Sequence, residues 1–257
     1  MFKMRIKNIS ILKDIIQQSR EDFHANAKFL LSFFLYYFTK ILGEPICIFP
    51  QMKLMVGDSL FISRRKTIDF WMLWKNHEKE NFSKMSKMDK KGIFIDVGAN
   101  IGKYSVIMAK EGWFVYAFEP VKSNFDSLED NIRLNDVSKK IKRYNIGMGN
   151  KIEKRYISFQ NGKHAEASVV IKMKNSRKEK VEINKIDSFF KGKKIKRPVV
   201  LKIDVEGFEY SVLEGAKKFI EKEHPVIILE MWENKKDSEF LGNLGYKREG
   251  DFWFYKK

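Results

Sequence analysis

Hydrophobic positions recur at two different periods along this chain, and the switch between them divides it. Up to residue 45 the spacing is helical: Ile9, Ile11, Leu12, Ile15 and Ile16 share a face, and the apolar run 29–38 follows a polar stretch holding Asp22 and Asn26. Gly43-Glu44-Pro45 ends that pattern. Short apolar pieces on either side of Gly57-Asp58 predict a hairpin pairing 53–56 with 59–62, and a helix from about Thr67 to Lys84 is expected after it. Beyond a polar connector over 84–91 the pattern changes to compact strands alternating with amphipathic helices: strand 93–97, helix 102–110, strand 113–118, helix 123–134 and strand 141–145. A strand-rich insert over about 153–184 interrupts the series, which resumes as strand 199–205, helix 208–220, strand 226–230, helix 237–244 and a terminal hairpin over 246–255. Alternation of this kind winds a parallel sheet, so the chain reads as one α/β domain over 92–257 behind a helical and hairpin extension over 1–91. Ligands of such a sheet bind outside the carboxyl ends of its strands, where the strand order reverses.

Composition narrows the function classes. With 44% hydrophobic and 32% charged residues among 257, the chain is ordinary for a globular protein and long enough to bury a sizeable core. Its net charge of +17 is less ordinary and would attract nucleic acid, anionic membranes or acidic glycans. The excess is spread, however, with 16 basic and 9 acidic residues in 1–90 and 34 and 24 in 91–257, and only 10 of the 50 basic residues are the phosphate-forking Arg. The densest basic segment, Lys172 to Arg197, has 11 basic and 3 acidic residues but feeds the amino end of a strand, opposite the expected site. Nucleic acid is therefore disfavoured as a partner. Cys47 is alone, no secretory h-region follows Met1, and no Cys or His cluster has metal-ligand spacing, so a cytoplasmic, metal-independent protein is expected. Eleven uncharged residues separate Lys28 from Lys40, short of the about 20 that a membrane span needs. This run is expected to be a buried helix, with peripheral contact through 28–42 at the inner face of a membrane as the alternative.

Candidate chemistry gathers at strand ends. Asp96-Val97-Gly98-Ala99-Asn100-Ile101-Gly102 follows one strand and opens a helix, where glycines let the backbone approach a ligand. Asn100 stands where a dinucleotide loop needs its second glycine, and no Gly-Lys-Ser/Thr follows, which argues against pyrophosphate and nucleoside triphosphates. Glu119, 23 residues after Asp96, ends the next strand, where a carboxylate can accept both hydroxyl protons of a ribose. An adenosine without phosphate suits the two acids best, against the alternative that they only cap helices and solvate loops. Asp204 and Glu206, in Lys202-Ile203-Asp204-Val205-Glu206-Gly207, are candidates for a base or an acceptor anchor, although capping is an equal reading for Glu206 and Glu209. His164, in the insert, is a further candidate base. Asp204, Glu206 and Glu230 end neighbouring strands, but no histidine-rich spacing accompanies them and no metal is expected.

The segments Phe-Ile-Asp-Val-Gly-Ala-Asn-Ile-Gly-Lys-Tyr-Ser (94–105), Phe-Glu-Pro (118–120) and Leu-Lys-Ile-Asp-Val-Glu-Gly-Phe-Glu (201–209) together resemble the FkbM family of methyltransferases. Glu214-Gly215-Ala216 and Ile228-Leu229-Glu230 agree with it, and the resemblance spans about 92–255. It implies a class I, Rossmann-like methyltransferase fold, with a central, mostly parallel seven-stranded sheet, a C-terminal antiparallel hairpin, and the N-terminal helical extension and small hairpin outside it. It also implies S-adenosyl-L-methionine as cofactor. Asp96, Gly98, Asn100 and Gly102 would line its methionine and adenosine side, Glu119 would hold the ribose, and Asn145 would approach the adenine. The implied acceptor is a hydroxyl, on a sugar of a surface polysaccharide or glycan precursor or on another small molecule, with Asp204, Glu206 and His164 as catalytic candidates. An RNA methyltransferase is the alternative suggested by the charge and by Asn131-Ile132-Arg133-Leu134-Asn135. Against it, Asp204-Val205-Glu206-Gly207-Phe208 stands where amine-methylating enzymes carry Asn/Asp-Pro-Pro-aromatic. A non-catalytic S-adenosylmethionine-binding module would lack an expected residue, and none is lacking.

Overall fold

The structure, a computed structural model, describes residues 11–41, 46–74, 76–90, 92–159, 177–229 and 235–256. They fall into two compact units, one ending at Phe82 and one beginning at Ser83. Gly43-Glu44-Pro45, His164 and Glu230 lie outside the described residues.

In the first unit residues 11–18 are helical, and Asp22 caps the start of α1 (Phe23–Ile41) by accepting the Ala25 N–H at 2.8 Å. Phe29, Phe33 and Tyr36 turn inward from α1 and meet Phe49 and Phe70 in an aromatic cluster. Phe34 and Phe38 turn outward, so the run 29–38 is not the wholly buried helix its composition suggests; its apolar residues surround the helix, and one side of it meets solvent. β1 (Met52–Val56) pairs antiparallel with β2 (Ser59–Ser63) through the expected turn, with Gly57 at φ +62°. The continuous helix expected from Thr67 to Lys84 does not form. A single tight turn, Asp69–Trp71, stands apart from α2 (Lys79–Met85). The Asp69 carboxylate holds the backbone N–H of Arg64 (3.0 Å) and its guanidinium (2.7 and 2.8 Å), tying the turn back to the hairpin, and Glu78 sits at φ +59°, which no helix accommodates.

The second unit is wound as its periodicity predicts. β3 (Ile93–Val97), α3 (Lys103–Lys110), β4 (Phe114–Phe118), α4 (Lys122–Leu134) and β5 (Ile141–Tyr144) come first. A three-stranded insert follows, in which β6 (Gly147–Met148) and β7 (Glu153–Phe159) flank β8 (Arg177–Asn184). The chain then runs through α5 (Ile186–Phe189), β9 (Val199–Ile203), α6 (Glu209–Gly215), α7 (Lys217–Glu223), β10 (Val226–Leu229), α8 (Lys235–Asn243), β11 (Tyr246–Glu249) and β12 (Phe252–Tyr255). The main sheet has seven strands in the order β11-β12-β10-β9-β3-β4-β5, parallel except for β12, which runs antiparallel to both its neighbours. This is the class I methyltransferase arrangement, and its strand order reverses between β3 and β9.

Those two central strands are buried along their whole length, which is why both are apolar runs interrupted once, by Asp96 in β3 and by Lys202 in β9. Ile93, Ile95, Val97, Leu201 and Ile203 share one core with Val212, Leu213, Ile220 and Leu241 of α6, α7 and α8. On the other face Phe94 stacks on Tyr104 of α3 and meets Trp113 edge-on. The helix expected over 208–220 is divided at Ala216, where the chain passes the loop after β6 so closely that a Cβ on Gly215 would lie 1.8 Å from the Gly149 carbonyl oxygen.

Candidate active site

A cleft opens at the carboxyl ends of β3, β4 and β9, at the point where the strand order reverses. Its polar wall comes from Gly98 and Asn100 after β3, Glu119 at the end of β4, Asn124 in α4, and Asp204 and Glu206 after β9. Val121, Met148, Ile157, Ile183 and Phe208 supply the apolar wall. Among the described lining residues there are three carboxylates and no Lys or Arg, in a chain whose net charge is +17.

Close backbone packing brings the loops together. Gly98 lies at φ +79°, and a Cβ there would sit 1.8 Å from the Asp204 carbonyl oxygen, so this glycine is what lets the loop after β3 lie against the end of β9. The Asp204 N–H donates to the Val97 carbonyl at 3.0 Å and fixes the register of that contact. Gly102 serves a different contact, since a Cβ at that position would meet Leu128 of α4 at 2.4 Å. Asn100 and Glu206, both lining the cleft, sit at φ +51° and +52°; side chains other than glycine adopt this left-handed region at a cost, and such residues cluster at functional sites.

Glu119 is buried and already holds the cleft together. One oxygen accepts the Asn100 N–H at 2.9 Å, and the other accepts the Val121 N–H at 2.9 Å and the Asn124 side-chain amide at 3.3 Å. Asn145 does not line the cleft. Its amide donates to the carbonyls of Glu119 and Pro120, both at 2.9 Å, and so orients the turn that carries the glutamate.

Asp96 is fully buried and does not line the cleft either. It accepts the Ser105 hydroxyl at 2.6 Å, and it is registered beside Lys202 on the neighbouring strand, whose ammonium lies 3.6 Å from its other oxygen. Burial pushes the Asp96 carboxyl up, opposed by Lys202 and by the Ser105 hydroxyl. The same ammonium donates to Asp204 at 3.1 Å and lies over the Tyr104 ring at 4.8 Å. Lys202 is 5% exposed and Asp204 31%, so the row Asp96–Lys202–Asp204 leads from the core to the cleft wall. Glu209 accepts the N–H groups of Val205 (3.2 Å) and Gly207 (3.0 Å), which makes it a bracket for the loop, whereas Glu206 faces the cleft.

Lys202, Ser105 and Asn124 belong to this network and are not among the residues that the sequence motifs single out. The available signal was polarity out of pattern: a lysine inside Val-Val-Leu-Lys-Ile needs a buried counter-charge, which Asp96 in β3 and Asp204 after β9 supply.

This constellation can be placed by comparison with known proteins. Residues 96–248 match the model of the methyltransferase FkbM domain. The chain belongs to the FkbM methyltransferase family. Among curated relatives, the hexuronic acid methyltransferase AglP of Haloferax volcanii is 28% identical over 153 residues, covering 56% of this chain and 58% of that protein. The methyltransferase sdnD of Sordaria araneosa is 23% identical over 216 residues, covering 70% of this chain and 82% of its own length. This chain thus matches less than two thirds of the AglP chain. Among solved structures, the methyltransferase FkbM of Methylobacillus flagellatus KT superposes with a TM-score of 0.45 at 15% identity, over 97% of this chain and 59% of that one. The FkbM match begins at Asp96 and includes every described residue of the cleft.

Proposed function

We propose that the cleft binds S-adenosyl-L-methionine and that the protein methylates a hydroxyl group of a sugar in a surface polysaccharide or glycan precursor. The observation that carries this reading is the charge of the described lining: three carboxylates, with no Lys or Arg to receive a phosphate. The cofactor's sulfonium and ammonium are positive and its adenosine bears no phosphate, so such a wall suits it where it would repel a nucleotide. Bound there, the cofactor supplies an electrophilic methyl group.

The chain's own residues have separate tasks. Glu119 accepts ribose hydroxyl protons while its other hydrogen bonds keep the Asn100 loop closed against β4. Val121, Met148 and Ile183 offer apolar surface to the adenine ring. Asp204 and Glu206 face the cleft and take the proton that an acceptor hydroxyl loses as its oxygen gains a methyl. Lys202 keeps the Asp204 carboxylate in one position. For the acceptor, the support is the sugar named in the description of AglP together with the same carboxylates, which would repel an RNA backbone entering the cleft.

Calorimetry with S-adenosylhomocysteine tests the cofactor. Glu119→Gln should weaken binding by about 10- to 100-fold, the loss expected for hydrogen bonds to a charged group. A methyl-transfer assay with labelled cofactor against host glycan and RNA fractions tests the acceptor, with Asp204→Asn expected to lower kcat about 100-fold or more while cofactor affinity stays within a few-fold. No heat on titration would overturn the cofactor, and label in RNA would overturn the acceptor.

A further inference from the structure

The outward side of α1 carries a second apolar surface that the aromatic cluster of its own unit does not use. At about 100° per residue, Phe23, Ala27, Leu31, Phe34, Phe38 and Ile41 fall within an arc of about 80° along the 19 residues of the helix. The five large ones are between 62 and 82% exposed. A stripe of this length, with an aromatic or aliphatic side chain at every turn of its second half, is more than the scattered apolar exposure of ordinary surfaces. Lys28 and Lys40, both exposed, stand on opposite sides of the stripe, about 100° and about 140° from its centre, and the helix contains no Asp or Glu.

We propose that α1 lies in the surface of an anionic membrane, with Phe23, Leu31, Phe34, Phe38 and Ile41 in the headgroup and acyl boundary and Lys28 and Lys40 reaching outward to lipid phosphates. The charge pattern selects this occupant. A second copy would bring a helix with two lysines and no carboxylate, in a chain of net charge +17, against its like, whereas an anionic bilayer offers the counter-charge. The helix rests on the membrane and does not cross it, since no described helix is long and apolar enough to span one. The inward side of α1, through Phe29, Phe33 and Tyr36, keeps it attached to its own unit while the outward side is embedded. The proposal stands apart from the identity of the methyl acceptor.

Flotation of the full chain with vesicles tests it, using phosphatidylcholine alone and equal parts of phosphatidylcholine and phosphatidylglycerol. The unchanged protein should float with the mixed vesicles and bind them far more weakly at high salt or without the anionic lipid. Phe34→Ser should reduce binding about tenfold or more, and Lys28→Gln with Lys40→Gln by about fivefold per charge. All three positions are exposed, so circular dichroism and cofactor binding should be unchanged in these variants. Absence of flotation, equal binding to neutral vesicles, or full binding by the Phe34 variant would overturn the proposal. So would a dimer in light scattering that Phe34→Ser converts to a monomer without any vesicle binding.

Discussion

Lys202 is the residue on which the most depends for its size. Its ammonium is buried between two carboxylates, 3.6 Å from Asp96 and 3.1 Å from Asp204, and neither acid has another cation beside it among the described ion pairs. Lys202→Met would fill the volume but leave Asp96 charged in the core or force it to take up a proton, and it would release Asp204 at the cleft wall. Removing one partner of a buried pair costs about 3–5 kcal/mol, so the variant should lose most of that in urea denaturation. Replacing Asp96 by Asn in the same background should restore part of the stability, because the uncompensated charge has gone, but should not restore kcat, because Asp204 is still unheld. Equal rescue of both properties would show that Lys202 acts on folding alone. The wide spacing of the motifs made Asp96, Glu119 and Asp204 legible in the sequence, yet their order from core to cleft was not. Burial of Asp96 depends on its alternating to the α3 face of β3, where Ser105 and Lys202 wait for it, and only the strand register decides that.

At the scale of elements, the helix α8 carries a titratable group in an unfavourable place. Asp237 lies in its first turn, 2% exposed, with one carboxylate oxygen lacking a hydrogen-bond partner among the described residues. Burial, and then the nearby charge of Glu209, push its carboxyl up from 3.8 to about 6. Its folded value lies above its unfolded one, so the folded protein binds more protons between about pH 4 and pH 6 and loses stability as pH rises through that window. Asp237→Asn should flatten that slope and be more stable at pH 7, by about 1–2 kcal/mol once relaxation around the charge is allowed for, as read from urea midpoints across pH. A steeper slope in the variant would show that Asp237 is stabilising as a carboxylate. Elements with strong periodicity and clear breakers, β3, α3, β4 and the β1–β2 hairpin, were legible before the fold was known. The breaks in the expected helices at 67–84 and 208–220 were not, because each is set by a partner remote in sequence or by backbone contact: Arg64 on Asp69, and the loop after β6 on Gly215.

For the molecule as a whole, the two units should respond differently to a ligand of the cleft, because every described lining residue belongs to the unit beginning at Ser83. A ligand that binds only the folded state stabilises it by about 2.7 kcal/mol at a hundredfold excess over its Kd. Amides reached by local opening gain protection only where the ligand contacts the opened segment, while amides reached by full unfolding of a cooperative unit gain it throughout that unit. Hydrogen exchange with S-adenosylhomocysteine should therefore slow first and most in the loops after β3, β4 and β9, around Gly98–Asn100, Glu119–Asn124 and Asp204–Phe208, where positive-φ residues and shared hydrogen bonds hold the cleft. The strands β3 and β9 should follow to the extent that they exchange by global opening, and α1 should stay unchanged. Anionic vesicles should give the converse pattern, with protection of α1 and none at the cleft. Protection of α1 by S-adenosylhomocysteine alone would show that the two units unfold as one, and α1 and the cleft would then be thermodynamically linked rather than separately loaded.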